Sequence, residues 1–595
     1  VPNNVVKQFA DEFRQLCPEA KLLVIKSGDD LPAVKKMTVE EKTEDGRKKK
    51  RKLRRDELTK EEQKKLDESR AARNRALARI QTEDWDGIIM SHTMFERLPV
   101  SPETKAKYIQ QQLDILEQTV KEAKDGNMSK RDKSNLEARK ETLKEKLNEA
   151  LDDDIKDIGI PFEELGIDQI FVDEADLFKN LHYETSIGGV SGLTNSDANR
   201  SQDMFLKTQW LTETRSGRGV VFATGTPISN TIAELYTMSR YLVPKMLKEH
   251  GVNLFDSWIR TFAEIGTGIE RKPSGDGFRK VNRVKNFINM AELTTMFRSF
   301  ADIKTQDELH LNIPKLKNGK PTTIVLDADP DIVNYIKTEV PKRIANIKAN
   351  AFKMKKGADN MLSLTNDLRH MTMTDAKINA CADNIADVFN KTTDVKGAQL
   401  VFCDYGIPKA ENEKAKNNDT EDDAADDAEK ENGEVYARLM QALRERGIPS
   451  DQIAFVQSAK NKDQQRELFE KVDNGEIRIL IGSTSKMGAG TNCQHHLVAL
   501  HDLDAPWRPR DLEQRHGRIL RQGNLNDEVE IFNYVIKDSF DANMWEKLKN
   551  KASIIAQAMS KNTGVRVVED ADMVTLSYAD VENAATGNPL IKKRL

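Results

Sequence analysis

Short apolar runs alternate with segments of helical periodicity along most of this chain. Continuous apolar runs of this kind are typical of parallel strands that are buried on both faces. They predict strands at Lys21–Ile25, Gly87–Met90, Gln169–Val172, Gly219–Ala223, Gln399–Phe402, Ile453–Val456, Ile477–Ile481, Leu497–Leu500 and Val529–Val535. Helical patterns follow most of these runs, as at Thr231–Leu242, Lys462–Lys471 and Phe540–Ala558. The repeated alternation predicts an α/β fold with two parallel-sheet domains.

One stretch, Glu103–Asp152, departs from this alternation because it is rich in Lys, Glu, Gln and Leu. Apolar residues recur at helical spacing on both sides of a break at Asp125–Asn127. We therefore predict an antiparallel helical hairpin inserted between two strands of the first domain, with Ser129 capping its second helix. Its apolar stripe is either a seam along which the two helices pack, which the pattern favours, or a surface for a partner.

The charge of the chain is unevenly distributed. Lys plus Arg total 93 and Asp plus Glu total 97 in 595 residues, so the formal net charge is only −4. However, Arg47–Arg55 has eight basic residues in nine, and Asp419–Glu431 has eight acidic residues in thirteen. Neither segment can join a core, so both are predicted to be surface loops. The basic run is either a solvated loop or a contact for nucleic-acid phosphates; the acidic run is a solvated loop.

Length and composition narrow the class of protein. A chain of 595 residues suggests two to four domains. Four widely separated cysteines cannot form a dense disulfide framework, which favours a reducing cytoplasm. No apolar run approaches the roughly 20 residues that span a membrane, so no membrane partner is expected.

The sharpest local motif is an acid pair that follows an apolar strand, Phe171-Val172-Asp173-Glu174. The pair is predicted to lie at the carboxyl end of a parallel strand, where α/β sheets bind ligands. In nucleotide hydrolases the first acid of such a pair holds Mg²⁺ and the second polarises the attacking water. Alone, the pair is a weak signal, and the Lys179-Asn180 dipeptide downstream strengthens it.

A second motif, Thr224–Asn230, also follows an apolar strand directly. Its glycine and proline set a tight turn, and its two threonine hydroxyls can relay changes at the acid pair to neighbouring loops. Taken alone, the motif would indicate an ordinary strand–turn–helix connection with Asn230 as the helix cap.

A third group of motifs lies near the end of the chain. Arg515, Arg518 and Arg521 recur at a spacing of three, so they share one face if the segment is helical. Guanidinium groups suit a transferring phosphate, although a solvated basic helix end has the same pattern. Upstream lie a Trp-containing segment, Asp504–Pro509, and a Gly-rich turn whose amides can approach a nucleotide phosphate. The residues of this turn predicted to bind nucleotide are Gly488, Gly490 and Asn492.

The order and spacing of these motifs resemble superfamily 2 helicases and translocases, particularly the Swi/Snf-like branch. The sequence is most similar to the helicase half of large methylase–helicase fusion proteins of phages, plasmids and conjugative elements. Two stretches, Thr224–Leu242 and Ser485–Asn524, carry this similarity, together with the closing segment Gly587–Ile591. The resemblance implies two RecA-like lobes with an inserted helical hairpin and charged loops. It also implies ATP and Mg²⁺ as cofactors.

The resemblance assigns roles to individual residues. Asp173 would bind Mg²⁺ and Glu174 would activate the attacking water. Arg518 and Arg521 would be arginine fingers at the γ-phosphate, with Gln514 in the same cleft. Coupling between hydrolysis and movement would fall to Thr224, Gly225, Thr226 and Trp507. Contacts with the DNA backbone would fall to Asn3, Ser91, Thr484 and Ser485.

Three departures from the family pattern affect the assignment. His516 stands where relatives often have an acid, and Asp176 stands where the Swi/Snf branch often has histidine. No Gly-x-x-x-x-Gly-Lys-Ser/Thr motif occurs, so the phosphate loop and its lysine are missing. Because that loop precedes the Pro2-Asn3-Asn4 segment in the family, we expect it upstream of Val1. We also expect these 595 residues alone to hydrolyse ATP poorly.

The leading hypothesis is a DNA-dependent ATPase motor on double-stranded DNA, with a methyltransferase domain as a further partner in the full-length protein. The alternative is a DNA-binding scaffold module without ATPase activity, from a modification or anti-restriction system. The predicted order is a first lobe at 1–250 with insertions at 31–80 and 103–155, a linker at 251–320, a helical attachment at 321–397, a second lobe at 398–560 with an acidic insertion at 408–434, and a tail at 561–595.

Overall fold

The computed structural model shows two compact units, which we call unit 1 and unit 2. Unit 1 comprises Val1–Ile228 and Ala233–Ala263, and unit 2 comprises Ser229–Ile232 and Glu264–Leu595. The structure describes residues 1–26, 30–31, 38–42, 48–52, 58–123, 130–152, 159–187, 190–191, 193, 195, 198–229, 231–271, 278–304, 306–309, 311–350, 359–408, 433–459, 461–488, 492–537, 539–559 and 566–569.

The strands of unit 1 follow the predicted apolar runs, with additional short strands. They are β1 (Leu22–Ile25), β2 (Thr38–Lys42), β3 (Lys48–Lys52), β4 (Gly87–Met90), β5 (Ile170–Asp173), β6 (Val190–Ser191) and β7 (Val220–Ala223). β1 pairs with β4 and β5 pairs with β7, both in parallel, as predicted. The β5–β7 pair is not buried on both faces, however. The paired residues Phe171 and Val221 are 68% and 40% exposed.

Unit 1 also contains nine described helices. They are α1 (Val6–Leu16), α2 (Lys60–Thr82), α3 (His92–Phe95), α4 (Pro102–Ala123), α5 (Lys130–Asp152), α6 (Asn199–Thr214), α7 (Glu234–Leu242), α8 (Pro244–Glu249) and α9 (Phe255–Phe262). The buried face of β5, with Ile170 and Val172, packs into a core that includes Leu211 of α6 and Tyr241 of α7. The core therefore lies on one side of the β5–β7 pair.

The predicted helical hairpin is present as α4 and α5. Its seam buries Leu113 and Leu116 of α4 against Leu136 and Leu143 of α5, with other apolar residues around them. The hairpin therefore packs on itself, which is the arrangement that the spacing favours. The proposed cap, Ser129, lies outside the described residues.

Part of the basic run forms a strand rather than a loop. β3, which has the sequence KKKRK, pairs in antiparallel register with β2. In this register Glu40 is the partner of Lys50 and Glu41 is the partner of Lys49. This pairing was not predictable from the basic run alone. We call β2 and β3 the basic ribbon.

Unit 2 contains a seven-stranded sheet among its described residues. Its spatial order is β10, β16, β15, β12, β14 and β13, and β11 also pairs with β16. The paired strands in this sheet are parallel. The strands of unit 2 are β8 (Ala263–Arg271, which starts at the last residue of unit 1), β9 (Phe278–Phe287), β10 (Lys315–Leu316), β11 (Thr322–Leu326), β12 (Ala398–Phe402), β13 (Ile453–Phe455), β14 (Ile479–Gly482), β15 (Leu497–Asp502), β16 (Glu528–Ile536) and β17 (Val568–Glu569).

Apolar clusters cover both faces of this sheet. Alternate residues of β12 belong to different clusters, with Val401 in one and Leu400 and Phe402 in the other. Burial on both faces, which the continuous apolar runs predict, therefore holds in unit 2. The helices of unit 2 are α10 (Met290–Arg298), α11 (Gln306–Leu309), α12 (Pro330–Asn350), α13 (Met361–Met371), α14 (Asp375–Lys391), α15 (Glu434–Glu445), α16 (Lys462–Asp473), α17 (Thr484–Met487), α18 (Pro509–Ile519) and α19 (Phe540–Met559).

The units differ from the expected domain boundaries in two places. Residues 255–262 form α9 of unit 1, because Phe255 and Trp258 are buried there, although 251–320 was expected to link the lobes. β11 joins the parallel sheet of unit 2, although 321–397 was expected to be helical. Most of the acidic insertion and most of the tail lie outside the described residues. Among the described helices, none is long and apolar enough to cross a membrane.

Candidate functional site

The acid pair lies at the carboxyl end of β5. Asp173 is the last residue of the strand, and Glu174 follows it with φ 52°, in the left-handed region that residues other than glycine rarely adopt. A short 3₁₀ turn, Ala175–Phe178, begins directly afterwards. Such a strained backbone persists only where the surrounding structure holds it in place, and in proteins it clusters at functional sites.

The acid pair and the threonine motif are joined through Asp176. The buried carboxylate of Asp176 accepts a hydrogen bond from Thr224 Oγ1 at 3.0 Å. The backbone N–H of Thr226 in turn donates to Thr224 Oγ1 at 3.1 Å. A second link joins Lys179 to Glu234 of α7 at 3.2 Å. The segments after β5 and β7 therefore form one connected group, with Gly225 exposed between the two threonines.

Asp173 has the chemistry of a magnesium ligand. Its carboxylate is half-buried and forms no ion pair or side-chain hydrogen bond with a described residue. Mg²⁺ is bound in such sites by one or two carboxylates, several waters and the substrate phosphates. The described residues contain no group of three His, Cys, Asp or Glu side chains that could hold a metal by themselves. Asp173 therefore fits an ion that arrives with a phosphate ligand.

The residues predicted to contact DNA in unit 1 lie around the carboxyl end of β4. Ser91 is buried, and its hydroxyl accepts a hydrogen bond from the Met94 N–H at 3.3 Å, which caps α3. Asn3 is exposed and its Nδ2 lies 3.4 Å from Thr93 Oγ1. The two segments are adjacent, and Asn3 is the one that presents its side chain to solvent.

Sequence reasoning missed His92, which links β4 to the acid pair. Its buried ring meets Phe178 edge-on at 5.1 Å between centroids. Burial lowers the pKa of His92 to about 3, and a hydrogen bond with the backbone of Asp173 opposes this shift only in part. A neutral histidine thus joins the ends of β4 and β5. The preceding apolar run and the serine cap give no signal for this role.

In unit 2, the residues of the Gly-rich segment have different surroundings. Thr484 donates both its N–H and its hydroxyl to Asp404, at 2.6 and 2.7 Å. Ser485 is exposed, with its Oγ 3.0 Å from that of Ser483. A side chain at Gly488 would lie 2.4 Å from the Thr484 carbonyl oxygen, so only glycine fits there. Asn492 is exposed, and Gly490 lies outside the described residues.

Trp507 lies beside a buried ion pair. The Arg369 guanidinium lies 4.9 Å from the centre of the Trp507 ring, and its Nη2 donates to Asp504 Oδ2 at 3.2 Å. Asp504 Oδ2 also accepts the Asp404 N–H at 2.9 Å. The predicted coupling residue Trp507 and the predicted DNA contact Thr484 are therefore connected through two aspartates.

The three arginines of the last motif do not share one environment. Arg518 Nε donates to the carbonyl of Gln514 at 3.2 Å, and both residues are half-buried, as is Arg521. Arg515, in contrast, is fully buried and ion-paired with Asp404, Asp502 and Asp504. Its spacing gave no sign of this, because the acids are distant in the sequence.

Burial and pairing act in opposite directions on these aspartates. Burial raises the pKa of Asp404, but Arg515 and Thr484 outweigh it and hold that pKa below its usual value. Burial also raises the pKa of Asp502, but His516 and Arg515 outweigh it, so that this pKa too lies below its usual value. Burial keeps the pKa of Asp504 above its usual value despite Arg515. The Arg515 pKa lies well above its usual range because the three acids outweigh its desolvation.

Both halves of the chain match helicase family models. Residues 56–305 match a probable helicase domain, and residues 429–523 match a helicase conserved C-terminal domain.

Two curated relatives are similar to parts of the chain. Defense against restriction protein B of Escherichia phage P1 is 27% identical over 160 residues, which cover 26% of this chain and 7% of that protein. The uncharacterized ATP-dependent helicase YqhH of Bacillus subtilis (strain 168) is 31% identical over 121 residues, which cover 20% of each. The matched segments thus span a small part of either relative.

A solved structure described as the C-terminal part of the Fun30 ATPase domain aligns with 46% of this chain and 97% of its own. The identity is 13% and the TM-score is 0.28, which is too low to support a common fold. The two family matches, one in each half of the chain, are both to helicase domains, and they support a helicase-type function that uses ATP.

Proposed function

We propose that this chain is the motor part of a DNA-dependent ATPase, a helicase or double-stranded DNA translocase, in a larger methylase–helicase protein of a mobile element. The observation that carries the proposal is the acid pair at the end of β5, tied through Asp176 to the Thr224 turn. The helicase family matches in both halves of the chain support it.

The chemistry follows from the groups at the strand ends. Asp173 would hold Mg²⁺ together with ATP, and the ion would supply positive charge that neutralises the phosphates. Glu174 orients the attacking water and accepts its proton. Within unit 2, Gln514, Arg518 and Arg521 are polar and positive groups of the kind that bind phosphates. Thr224 and Thr226 sense the acid pair through Asp176, whose hydrogen bond to Thr224 gives a direct route for coupling.

The proposed nucleic-acid partner is double-stranded DNA, bound through its phosphates with little sequence preference. Asn3 and Ser485 present exposed side chains for this purpose, whereas Ser91 and Thr484 act through their backbone and by positioning their neighbours. The basic ribbon adds five consecutive cationic residues, Lys48–Lys52, in the connection after β1. That connection begins at the carboxyl end of β1. Because β1 and β4 are parallel, this end lies at the same edge as the end of β4 that carries Ser91.

Salt-dependent binding of duplex DNA tests this interaction. Replacing Lys48–Lys52 by Gln should weaken binding and reduce the slope of log K against log salt by about 0.9 for each phosphate that is no longer neutralised. The matched control replaces Lys64 and Lys65 of α2, which are 77% and 68% exposed, by Gln. An unchanged slope in the ribbon variant would show that the ribbon is only a solvated surface.

The mode of movement needs a separate assay. Similarity to the Swi/Snf-like branch favours translocation along duplex DNA without strand separation. The assay uses the chain as part of the full-length protein, supplied with ATP. We expect it to displace a triplex-forming strand and not to unwind a forked duplex. Unwinding of the fork would identify a helicase and contradict the translocase assignment.

One observation favours a second candidate, an ATPase-deficient DNA-binding scaffold of a modification or anti-restriction system. The 595 residues contain no Gly-x-x-x-x-Gly-Lys-Ser/Thr motif, so this sequence supplies no phosphate loop. The name of the phage P1 relative, a defense against restriction protein, fits such a role. We therefore propose that the isolated chain hydrolyses ATP poorly under either function. The motor retains a DNA-stimulated rate that depends on Glu174, and the scaffold has none.

A further inference from the structure

Arg515 of α18 is saturated with hydrogen bonds inside unit 2. Its side chain has no exposed surface, and it forms one bond from Nε and two from each terminal nitrogen. Nε donates to Thr484 Oγ1 at 2.8 Å. Nη1 donates to Asp502 Oδ1 at 2.9 Å and to the Asp504 carbonyl at 2.8 Å. Nη2 donates to Asp404 Oδ2 at 2.7 Å and to Asp504 Oδ1 at 3.1 Å.

This saturation excludes one role that the sequence offers for Arg515. A guanidinium has five N–H donors, and all five are already used by groups of the protein. Arg515 therefore has no donor left for a phosphate, and no exposed surface through which a phosphate could reach it. It differs in this from Arg518, which lies one turn further along the same helix and is half-buried.

The partners of Arg515 come from the ends of three neighbouring strands. Asp404 follows β12, Thr484 follows β14, and Asp502 and Asp504 lie at the end of β15. β12 lies between the other two strands in the sheet. One side chain on α18 thus joins three strand ends to the helix that carries Gln514 and Arg518.

Three hydrogen bonds tie Thr484 to this network. Its N–H and its hydroxyl both bind Asp404, and its hydroxyl oxygen also accepts from Arg515. The next two residues, Ser485 and Lys486, are exposed and turn outward from the same short helix. The position of these exposed groups is therefore set by buried contacts made one residue earlier.

We propose that Arg515 is a positioning residue that locks the contact segment Ser483–Met487 to α18, so that Ser485 and Lys486 meet nucleic-acid phosphates in a fixed geometry. The nucleic-acid part of this inference rests on the proposed function. The locking itself concerns only contacts within unit 2. A like-sized lysine keeps the charge of Arg515 but loses the forked donor geometry that reaches Asp404, Asp504 and Thr484 together.

The test compares Arg515→Lys with two matched variants of the same chain. Lys377→Met breaks another buried ion pair of unit 2, between Lys377 and Asp541 at 2.7 Å, outside the network. Lys486→Gln removes an exposed charge from the contact segment itself. Duplex-DNA affinity across a salt series, the melting temperature and amide hydrogen exchange are measured for each.

Arg515→Lys should weaken duplex binding roughly tenfold, about 1.4 kcal/mol, with an unchanged salt slope, because the number of neutralised phosphates stays the same. Lys486→Gln should reduce the slope by about 0.9. Lys377→Met should lower the melting temperature without changing affinity. The Thr484 amide should exchange faster in Arg515→Lys and at the wild-type rate in Lys377→Met.

The inference is overturned if Arg515→Lys leaves both affinity and Thr484 exchange at the level of Lys377→Met. If the wild-type chain does not bind duplex DNA, the proposed function fails, and the exchange of the Thr484 amide alone decides whether Arg515 locks the segment. If Arg515→Lys does not fold by circular dichroism, Asp404→Asn replaces it. This variant removes the carboxylate that binds both Thr484 and Arg515, and the same outcomes decide.

Discussion

The carboxyl ends of the parallel strands differ sharply between the two units. In unit 1, Asp173 ends β5 half-buried and without a described ion-pair partner, and the neighbouring Phe171 and Val221 are exposed. In unit 2, the acids at the ends of β12 and β15 are enclosed around a fully buried arginine. Both regions concentrate carboxylates at the edge where α/β sheets bind ligands. Of these acids, Asp173 is the one without an ion-pair partner among the described residues.

The difference has a simple electrostatic origin. A fully buried carboxylate must be paired, because the loss of hydration costs several kcal/mol per ion. Asp502 and Asp504 satisfy this requirement with Arg515. A half-exposed carboxylate such as Asp173 keeps part of its hydration and can exchange it for Mg²⁺ and phosphate. Asp173 of unit 1 thus retains hydration that a ligand could replace, whereas the acids of unit 2 are paired within the unit itself.

The largest expected effect is on stability and comes from removing the buried charge. Arg515→Met leaves the acids of unit 2 unpaired and should destabilise that unit by about 3–5 kcal/mol. Asp173→Asn removes an acid that supports no described ion pair, so it should change stability by less than about 0.5 kcal/mol. Urea unfolding monitored by circular dichroism measures both. Equal losses in the two variants would remove the proposed distinction between the strand ends.

A comparison of two phenylalanines tests the exposed sheet face. Phe402 of β12 has no exposed surface, and truncation to Ala should cost about 3–5 kcal/mol. Phe171 of β5 is 68% exposed, so Phe171→Ala should cost less than about 0.5 kcal/mol in the isolated chain. The same unfolding experiment applies. A large loss for Phe171→Ala would show that its face of β5 and β7 is covered in solution.

The stability of both units should also depend on pH, which is a smaller effect. Burial lowers the pKa of His501 to about 3 from its ordinary 6.5, while its ring nitrogens lie 2.9 Å from Tyr534 Oη and Gln399 Oε1. The folded state binds a proton less readily than the unfolded state. The contribution of His501 to the free energy of unfolding is therefore fully present above pH 6.5. It is lost as the pH falls from there toward 3, by at most about 1.4 kcal/mol per pH unit.

His501→Gln should flatten this dependence between pH 6.5 and 4.5, as measured by urea midpoints at several pH values. His92 in unit 1 has a pKa lowered to about 3 as well, so His92→Gln should have the same direction of effect. Asp404 and Asp502, whose pKa values are depressed, should reduce the free energy of unfolding further only below about pH 4. A wild-type midpoint that stays constant down to pH 4.5 would contradict the buried neutral histidines.

Much of the fold was predictable because it depends on local pattern. The leucine spacing on both sides of Asp125–Asn127 predicts α4 and α5, and the continuous apolar runs predict strands such as β5 and β12. β11 was missed, because Thr322–Leu326 is short and its residues alternate between half-buried and exposed, next to a stretch of helical pattern. The basic ribbon was missed, because a run of charge carries no strand signal.

The sequence proposes residues for the site, but it does not reveal the contacts that connect them. The acid pair and Thr224 were recognised as neighbours in function, and the contact between Asp176 and Thr224 joins residues 48 positions apart. The burial of Arg515 depends on Asp404, which is 111 positions away. Spacing within one helix cannot reveal such a partner. The sequence pattern therefore grouped Arg515 with Arg518 although the two occupy different surroundings.

The most direct test of the motor is ATP hydrolysis by the 595-residue chain with and without duplex DNA, in the wild type and in Glu174→Gln. We predict a slow rate that duplex DNA increases and that Glu174→Gln abolishes, with circular dichroism and duplex binding unchanged in the variant. Hydrolysis that responds neither to DNA nor to the substitution would contradict the assignment of the β5 acids to a DNA-dependent ATPase.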